Sequence, residues 1–298
     1  MTNEILPTIA AKAPFRDWET AYYIYGDLKK TKLPPVIGLH GGPGLTHNYL
    51  KDYATFFPNR AVILYDQVGN GKSTLLPDAP STFWTVELFV DELANLISHL
   101  ELKSYDIIGH SWGGMLASEA ATRGALPGLR KLVIYSSLAR MRNWNESNLN
   151  LLGTMDPELQ TVIYKHRAAG TTKEAEYQGA AMKFMEDIAI GIKPIPACVL
   201  ESLGLMAQNP QVSKTMYGHS NFDSDGTLKN WEVADQLNKI AVPTLVMRGQ
   251  FDQASAECNA PFVQNIKDVK YVVIPKAHHV AHLEFPETFT RIVQDFLV

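Results

Sequence analysis

"IIGHSWGGM", residues 107 to 115, decides the fold. It continues the short apolar run "YDIIGHS" (105–111), which reads as a buried strand, and leads into "MLASEAATRG" (115–124), a helical pattern that Gly124 can stop. Between them stands Gly109-His110-Ser111-Trp112-Gly113, a G-x-S-x-G pattern at a strand-to-helix junction. A serine pushed out on so tight a turn has a strained backbone. Side chains two residues to either side would collide, so Gly109 and Gly113 clear the space. The first turn of the helix then aims free N–H groups and the positive end of its dipole at the serine oxygen. Taken alone, the pattern also fits a glycine-rich strand end with a helix-capping serine.

A second motif weighs against that alternative. "LHGGPG" (39–44) ends an earlier strand with a glycine-rich turn. Such a loop supplies the backbone N–H that completes an oxyanion hole beside a G-x-S-x-G serine. The expected donors are the N–H groups of Gly42 and Trp112, with Pro43 stiffening the loop and His40 a hydrogen-bonded scaffold residue. "DQVGNGKST" (66–74) invites a phosphate-loop reading, but the position five before Gly71, where that motif needs glycine, is Asp66. Asp66 and Ser73 are expected instead to tie down a turn that buttresses the "HGGPG" loop.

A serine hydroxyl is a weak nucleophile until a base, oriented by a third group, takes its proton. In this architecture the chain order is serine, acid, histidine, with the last two on loops after later strands. Asp252, in "RGQFDQAS" (248–255), follows the strand pattern "VPTLVMRG" (242–249) and is the expected acid. Its task is to accept a hydrogen bond from the histidine and fix the tautomer. "KAHHVAHLEFPE" (276–287) offers His278, His279 and His282 as the base.

Composition bounds the rest. The chain has 298 residues, 46% hydrophobic and 19% charged, enough for one large α/β domain with an insertion. Its net charge of -4 and lack of a Lys/Arg cluster speak against nucleic acid and an anionic membrane surface as partners. Cys198 and Cys258 have neither a disulfide-framework nor a zinc-site spacing, so no metal or other cofactor is expected. The N-terminal residues lack a basic start with an apolar run, and no stretch nears the roughly 20 apolar residues of a membrane span. A reducing cytoplasm is the expected location. The sequence carries no signal for oligomeric state.

Short β-branched runs alternate with helical patterns, the signature of a mostly parallel sheet with helices on both faces. "AYYIYG" (21–26), "PPVIGLHG" (34–41), "AVILYDQ" (61–67), "KLVIYSS" (131–137) and "KYVVIPKA" (270–277) read as further strands, and "ETFTRIVQDFLV" (287–298) as a closing helix. From 138 to 231 the alternation gives way to Met-, Gln- and Asn-rich helical segments broken by prolines. A helical cap of 138–231 is therefore expected over a core of 1–137 and 232–298, above the sheet edge where open α/β sheets place ligands.

These motifs resemble, in order and over nearly the whole chain, the proline iminopeptidase group of α/β-hydrolases, a family of serine aminopeptidases: "HGGPG", "DQVGNGKS", "GHSWGG", the helical insertion, "VPTLVMRGQFD" and "HHVAHLEFPE". The resemblance implies an α/β-hydrolase fold with an inserted cap and a Ser111, Asp252, His279 triad. It favours His279 over His278, and Gly42 with Trp112 as oxyanion donors.

One departure bears on substrate. Family members that release N-terminal residues resemble one another in carrying glutamates in the cap and next to the catalytic aspartate, where they pair with the substrate ammonium. Here Gln253 follows Asp252, and Asn221 in "GHSNFDSDGTLKNW" (218–231) stands where a glutamate is expected. Neutral amides do not replace carboxylates as counter-ions. Asp223, Asp225 and Glu201 are the candidate substitutes, and Trp144 and Tyr217 are candidate pocket residues. The expectation is a serine hydrolase of a small acyl substrate (ester, lactone, amide or short peptide). A true proline iminopeptidase is the first alternative, and an acyl transferase or cyclase, or a non-catalytic binding protein on the same fold, the second.

Overall fold

The computed structural model describes residues 5–298. Its strands, β1 (Ile9–Phe15), β2 (Trp18–Tyr25), β3 (Val36–Leu39), β4 (Val62–Tyr65), β5 (Tyr105–His110), β6 (Leu129–Tyr135), β7 (Thr244–Gly249) and β8 (Val269–Ile274), form one sheet in the order β1-β2-β4-β3-β5-β6-β7-β8. β1 and β2 pair antiparallel, as do β2 and β4; the other neighbours are parallel.

β3, β4 and β5 are buried at every position, which is why their sequences show no polar alternation. Alternate residues instead feed two apolar cores. Ile37, Ile63 and Ile107 pack on one face with Leu93 and Leu96 of the helix Val86–His99 and Leu116 of the helix Trp112–Thr122. Val36, Val62 and Ile108 pack on the other with Phe289 and Val293 of the closing helix Pro286–Leu297. The α/β-hydrolase layering read from the sequence, a mostly parallel sheet covered on both faces, is thus what the chain adopts.

β1 carries no strand signal in the sequence. "IAAKAPF" is alanine-rich and contains Pro14, which a strand tolerates at a sheet edge, and among the described strands β1 is an edge strand bonded to β2 alone.

Strand order reverses between β3, which leads back to β4, and β5, which leads on to β6. Ligands in open α/β sheets bind beyond the C-terminal ends of strands at such a reversal. The residues there are the "HGGPG" loop after β3 and Ser111 after β5.

Between β6 and β7 the chain runs through helices Met141–Leu152, Pro157–Ala169, Ala175–Phe184, Ala197–Gln208 and Gln211–Met216, with a wider π turn at Met185–Ile190. The two crossings into and out of this segment lie side by side. Met141 N–H donates to Trp231 C=O and Val233 N–H to Ala139 C=O, both at 3.0 Å. The segment has a small core of its own around Leu152, Ile163, Tyr177, Phe184 and Phe222. Among the described residues no helix is long and apolar enough to cross a membrane.

Candidate active site

Ser111 has φ 54° and ψ -119°, a conformation that L-residues rarely adopt. The neighbouring glycines are sterically required. A Cβ on Gly109 would lie 2.3 Å from the carbonyl oxygen of Gly113, and one on Gly113 would lie 2.2 Å from that of Leu39. Two hydrogen bonds hold the turn: Ser111 N–H to Tyr135 C=O at 2.9 Å, and Ser137 Oγ to Ser111 C=O at 2.8 Å.

Gly42 has φ +114°, and a Cβ there would lie 2.5 Å from the amide nitrogen of Gly44. Among the described residues neither the Gly42 nor the Trp112 N–H donates a hydrogen bond. Trp112 opens its helix, so its amide has no intrahelical acceptor. The Trp112 indole is anchored by Nε1 donating to Gln67 Oε1 at 2.8 Å. His40 is a scaffold residue: its Nδ1 donates to Gly41 C=O at 2.9 Å and its Nε2 accepts from Gln67 N–H at 3.2 Å. Burial pushes its pKa down to about 4, so it is neutral.

The "DQVGNGKST" turn is organised around Asp66. Its carboxylate accepts from the main chain and Nδ1 of His47 (3.0 and 2.8 Å), from Lys72 N–H at 3.0 Å and from Tyr23 Oη at 3.2 Å. Burial alone would raise the Asp66 pKa, but the bonds and charge of His47 outweigh it and hold the carboxyl below its ordinary range. Ser73 donates to the Asp66 carbonyl and accepts from Ala21 N–H.

The three histidines of the last loop have different partners. His279 Nδ1 lies 2.7 Å from Asp252 Oδ1, which also accepts from Ala254 N–H at 2.8 Å. A carboxylate can only accept, so Nδ1 carries the proton, and Nε2 is the ring nitrogen free to take one. Burial pushes the Asp252 pKa up, but electrostatic attraction to the His279 ring and the hydrogen bonds from His279 and Ala254 overcome this and keep it below the usual carboxylate value. His278 turns away, with its Nδ1 at 2.7 Å from Glu284 Oε1. His282 is buried, donates from Nε2 to Tyr49 C=O at 3.0 Å, and is neutral with a pKa pushed by burial to about 4.

The His279 ring stands 4.8 Å, centroid to centroid, from that of His110, the residue before Ser111. Among the described residues the Ser111 hydroxyl makes no hydrogen bond, to His279 or to any other group. Catalytic hydrogen bonds often close only when substrate is bound.

Three residues around this cluster escaped the sequence reading: Tyr49, His110 and Tyr135. The Tyr49 hydroxyl accepts from Gly41 N–H and lies 2.7 Å from His110 Nδ1; His110 Nε2 and Tyr135 Oη both donate to His279 C=O, at 2.9 and 3.1 Å. The one available signal was His110's place inside the G-x-S-x-G pattern.

Of the candidate pocket residues, Trp144 lies with its ring 5.6 Å from His279 and donates through Nε1 to Tyr217 Oη at 2.6 Å. Gln253 is buried, and its Nε2 donates to Asn148 Oδ1 at 2.6 Å. Asn221 is half-buried, and among the described residues no hydrogen bond joins it to Gln253 or to the Asp252–His279 pair. The candidate counter-ions are otherwise engaged or exposed. Arg167 holds Asp223, the main chain of His219 donates to Asp225 at 2.8 Å, and Glu201 is exposed. A cavity of about 100 Å³ lined by residues including Gly69, Trp84 and Pro210 is not lined by Ser111, Asp252 or His279. Chemistry, not cavity size, locates the site.

Known proteins share this fold. Residues 34–286 match the family described as alpha/beta hydrolase fold. The proline iminopeptidase of Lactobacillus helveticus is 31% identical over 294 residues, covering 97% of each chain. Among solved structures, VinJ superposes with a TM-score of 0.93 at 40% identity over 98% of each chain. The proline iminopeptidase of Mycobacterium smegmatis does so with a TM-score of 0.89 at 39% identity over 97% of each chain.

Proposed function

The chain belongs to the α/β-hydrolase family, in its proline iminopeptidase-like group, and from that membership we propose that it is a serine hydrolase of small acyl substrates working through Ser111, His279 and Asp252. The observation that carries this reading is the 2.7 Å bond between His279 Nδ1 and Asp252 Oδ1, formed beside a serine held at φ 54°.

In the proposed reaction Ser111 Oγ attacks the substrate carbonyl as His279 Nε2 takes its proton, and Asp252 stabilises the imidazolium. The N–H groups of Gly42 and Trp112 receive the developing oxyanion. His279 returns the proton to the departing alcohol or amine, leaving the acyl group on Ser111. Water, deprotonated by His279, then attacks this ester and releases the acid.

Residues 138–231 act as a cap, with Trp144 and Tyr217 lining the acyl pocket. The two free thiols, Cys198 and Cys258, suit a reducing cytoplasm.

A second reading, release of N-terminal proline from short peptides, is favoured by the likeness to two proline iminopeptidases. It is opposed by the neutral Gln253 and Asn221. Substrates crossing leaving group (aryl ester, aryl amide) with terminal amine (free, blocked) separate the two. Faster turnover of a short-chain aryl ester than of a proline aryl amide is expected. An obligatory free amine, with proline amide the best substrate, would replace the first reading with the second.

A further inference from the structure

Among the described residues, five that are not glycine have a positive φ: Arg16, Glu101, Ser111, Ser136 and Lys276. Arg16, Glu101 and Lys276 are exposed turn residues, whereas Ser111 and Ser136 are buried. Left-handed backbone strains any residue with a side chain, and it persists in the interior where the surroundings enforce it. At Ser111 the strain belongs to the nucleophile turn. Ser136, with φ 49°, has no part in the reaction described above.

Ser136 is the middle residue of Tyr135-Ser136-Ser137, the run that leaves β6. Each of its neighbours holds one residue of the proposed triad. Tyr135 Oη donates to the His279 C=O at 3.1 Å, and Ser137 Oγ donates to the Ser111 C=O at 2.8 Å. Ser136 itself is fixed through its N–H, which donates at 2.8 Å to the C=O of Met247 on β7, the strand that leads to Asp252. Its side chain is 0% exposed, and among the described residues its hydroxyl closes no hydrogen bond. A buried hydroxyl left without a partner is costly in a native interior.

Asp252 is short of a donor on one side. Its Oδ1 accepts from His279 Nδ1 and Ala254 N–H at 2.7 and 2.8 Å, whereas among the described residues Oδ2 has the Gly249 N–H alone, at a long 3.4 Å. Burial opposes the Asp252 charge; among the groups that favour it the Ser136 side chain comes next after His279, so the hydroxyl stands beside the carboxylate. Resting on the serine-hydrolase reading above, we propose that Ser136 is a positioning residue for the acid, its hydroxyl donating to Asp252 Oδ2. A carboxylate held at both oxygens does not swing about its own axis, so Oδ1 keeps its line to His279 Nδ1. The bond tightens when substrate is bound, as catalytic hydrogen bonds do. The three residues that end β6 thereby hold the base, the acid and the nucleophile in turn.

Ser136→Gly and Ser136→Ala test this together. Both lose the hydroxyl, but glycine alone also loses the backbone strain, so Ser136→Gly should unfold at a Tm at or above that of Ser136→Ala. Steady-state kinetics on an aryl ester should nonetheless show the same loss in both, with kcat down about tenfold and KM within about twofold. A residue serving the fold alone would give the reverse, with Ser136→Gly as active as the unsubstituted protein. Agreement between the variants separates the missing hydroxyl from the flexibility that glycine introduces, and either variant decides the point if the other fails to fold. Unchanged kcat in a folded variant, or a loss through KM alone, would overturn the assignment. Labelling by a fluorophosphonate separates the two levels: Ser111 labelled in the unsubstituted protein, with kcat unchanged in the variants, removes the role of Ser136 and nothing more, whereas no label on Ser111 removes the hydrolase reading beneath it.

Discussion

His110 donates from Nε2 to the main-chain carbonyl of His279 across 2.9 Å, directly behind the Ser111 turn. Because a carbonyl only accepts, the proton is on Nε2, and the Nδ1 lone pair receives the Tyr49 hydroxyl proton at 2.7 Å. The Tyr49 oxygen in turn accepts the Gly41 N–H at 2.7 Å. Burial, with His279 and His282 nearby, drives the His110 pKa well below its ordinary value, so the ring stays neutral and the chain keeps its direction. One run of hydrogen bonds therefore links the loop that carries Gly42 to the backbone of His279.

Tyr49→Phe removes the middle of that run without changing the ring. Its effect should fall on geometry rather than on binding: kcat reduced about tenfold to a hundredfold, with KM within about twofold. Steady-state kinetics on an aryl ester measures both. Equal loss through KM alone would show that Tyr49 serves the pocket and not the alignment.

Gly113→Ala puts a methyl group where the Leu39 carbonyl oxygen stands, 2.2 Å away. Backbone cannot rotate aside as a side chain can, so strand β3 and the Ser111 turn must separate. A destabilisation of about 1–3 kcal/mol or more is expected from urea unfolding, with activity lost in the folded fraction. Gly204→Ala, in the helix Ala197–Gln208 where a Cβ meets nothing within 4 Å, is the control, since neither glycine has a positive φ.

The sequence revealed what local chemistry encodes and concealed what only packing decides. "IIGHSWGGM" and "LHGGPG" were legible because a strained serine turn and a main-chain donor loop admit few residues. The buried strands were legible because both faces of the sheet need apolar side chains. β1 was hidden by alanines and Pro14, which carry no strand period and suit only an edge. Asp252 was legible from its place after β7, but the choice among His278, His279 and His282 depended on which ring reaches a carboxylate. Glu284 takes one and Asp252 another, a distinction of hydrogen-bond geometry that spacing does not hold. Asn221 lies in a segment packed by the Phe222 core, and among the described residues no hydrogen bond joins it to the Asp252–His279 pair.

Glu92 supplies a pH-dependent contribution to stability. It is fully buried, accepts from Thr20 Oγ1 at 2.5 Å and Val68 N–H at 2.8 Å, and among the described residues its Oε2 has no partner. Burial raises its pKa to about 8. In the unfolded chain the value is about 4.3, so between the two pH values the folded state holds a proton that the unfolded state has lost. Its contribution is therefore present in full below the unfolded value and declines as pH rises through the folded one. Thermal unfolding should show Tm falling from pH 6 to pH 9, and the fall should shrink in Glu92→Gln. Parallel curves for the two proteins would assign the decline to other groups.

Asp252→Asn keeps the size of the side chain and removes the charge that holds His279 in its tautomer. A loss in kcat of about 10⁴ is expected, with the fold and KM little changed. Full activity in this variant would require a different acid.

The most direct measurement is covalent: treat folded protein with a fluorophosphonate, digest it and locate the adduct by mass. The expected result is one adduct on Ser111, its rate of formation falling by orders of magnitude in His279→Ala but little in His278→Ala. An adduct at another residue, or labelling of Ser111 that ignores His279, would contradict the assignment of nucleophile and base.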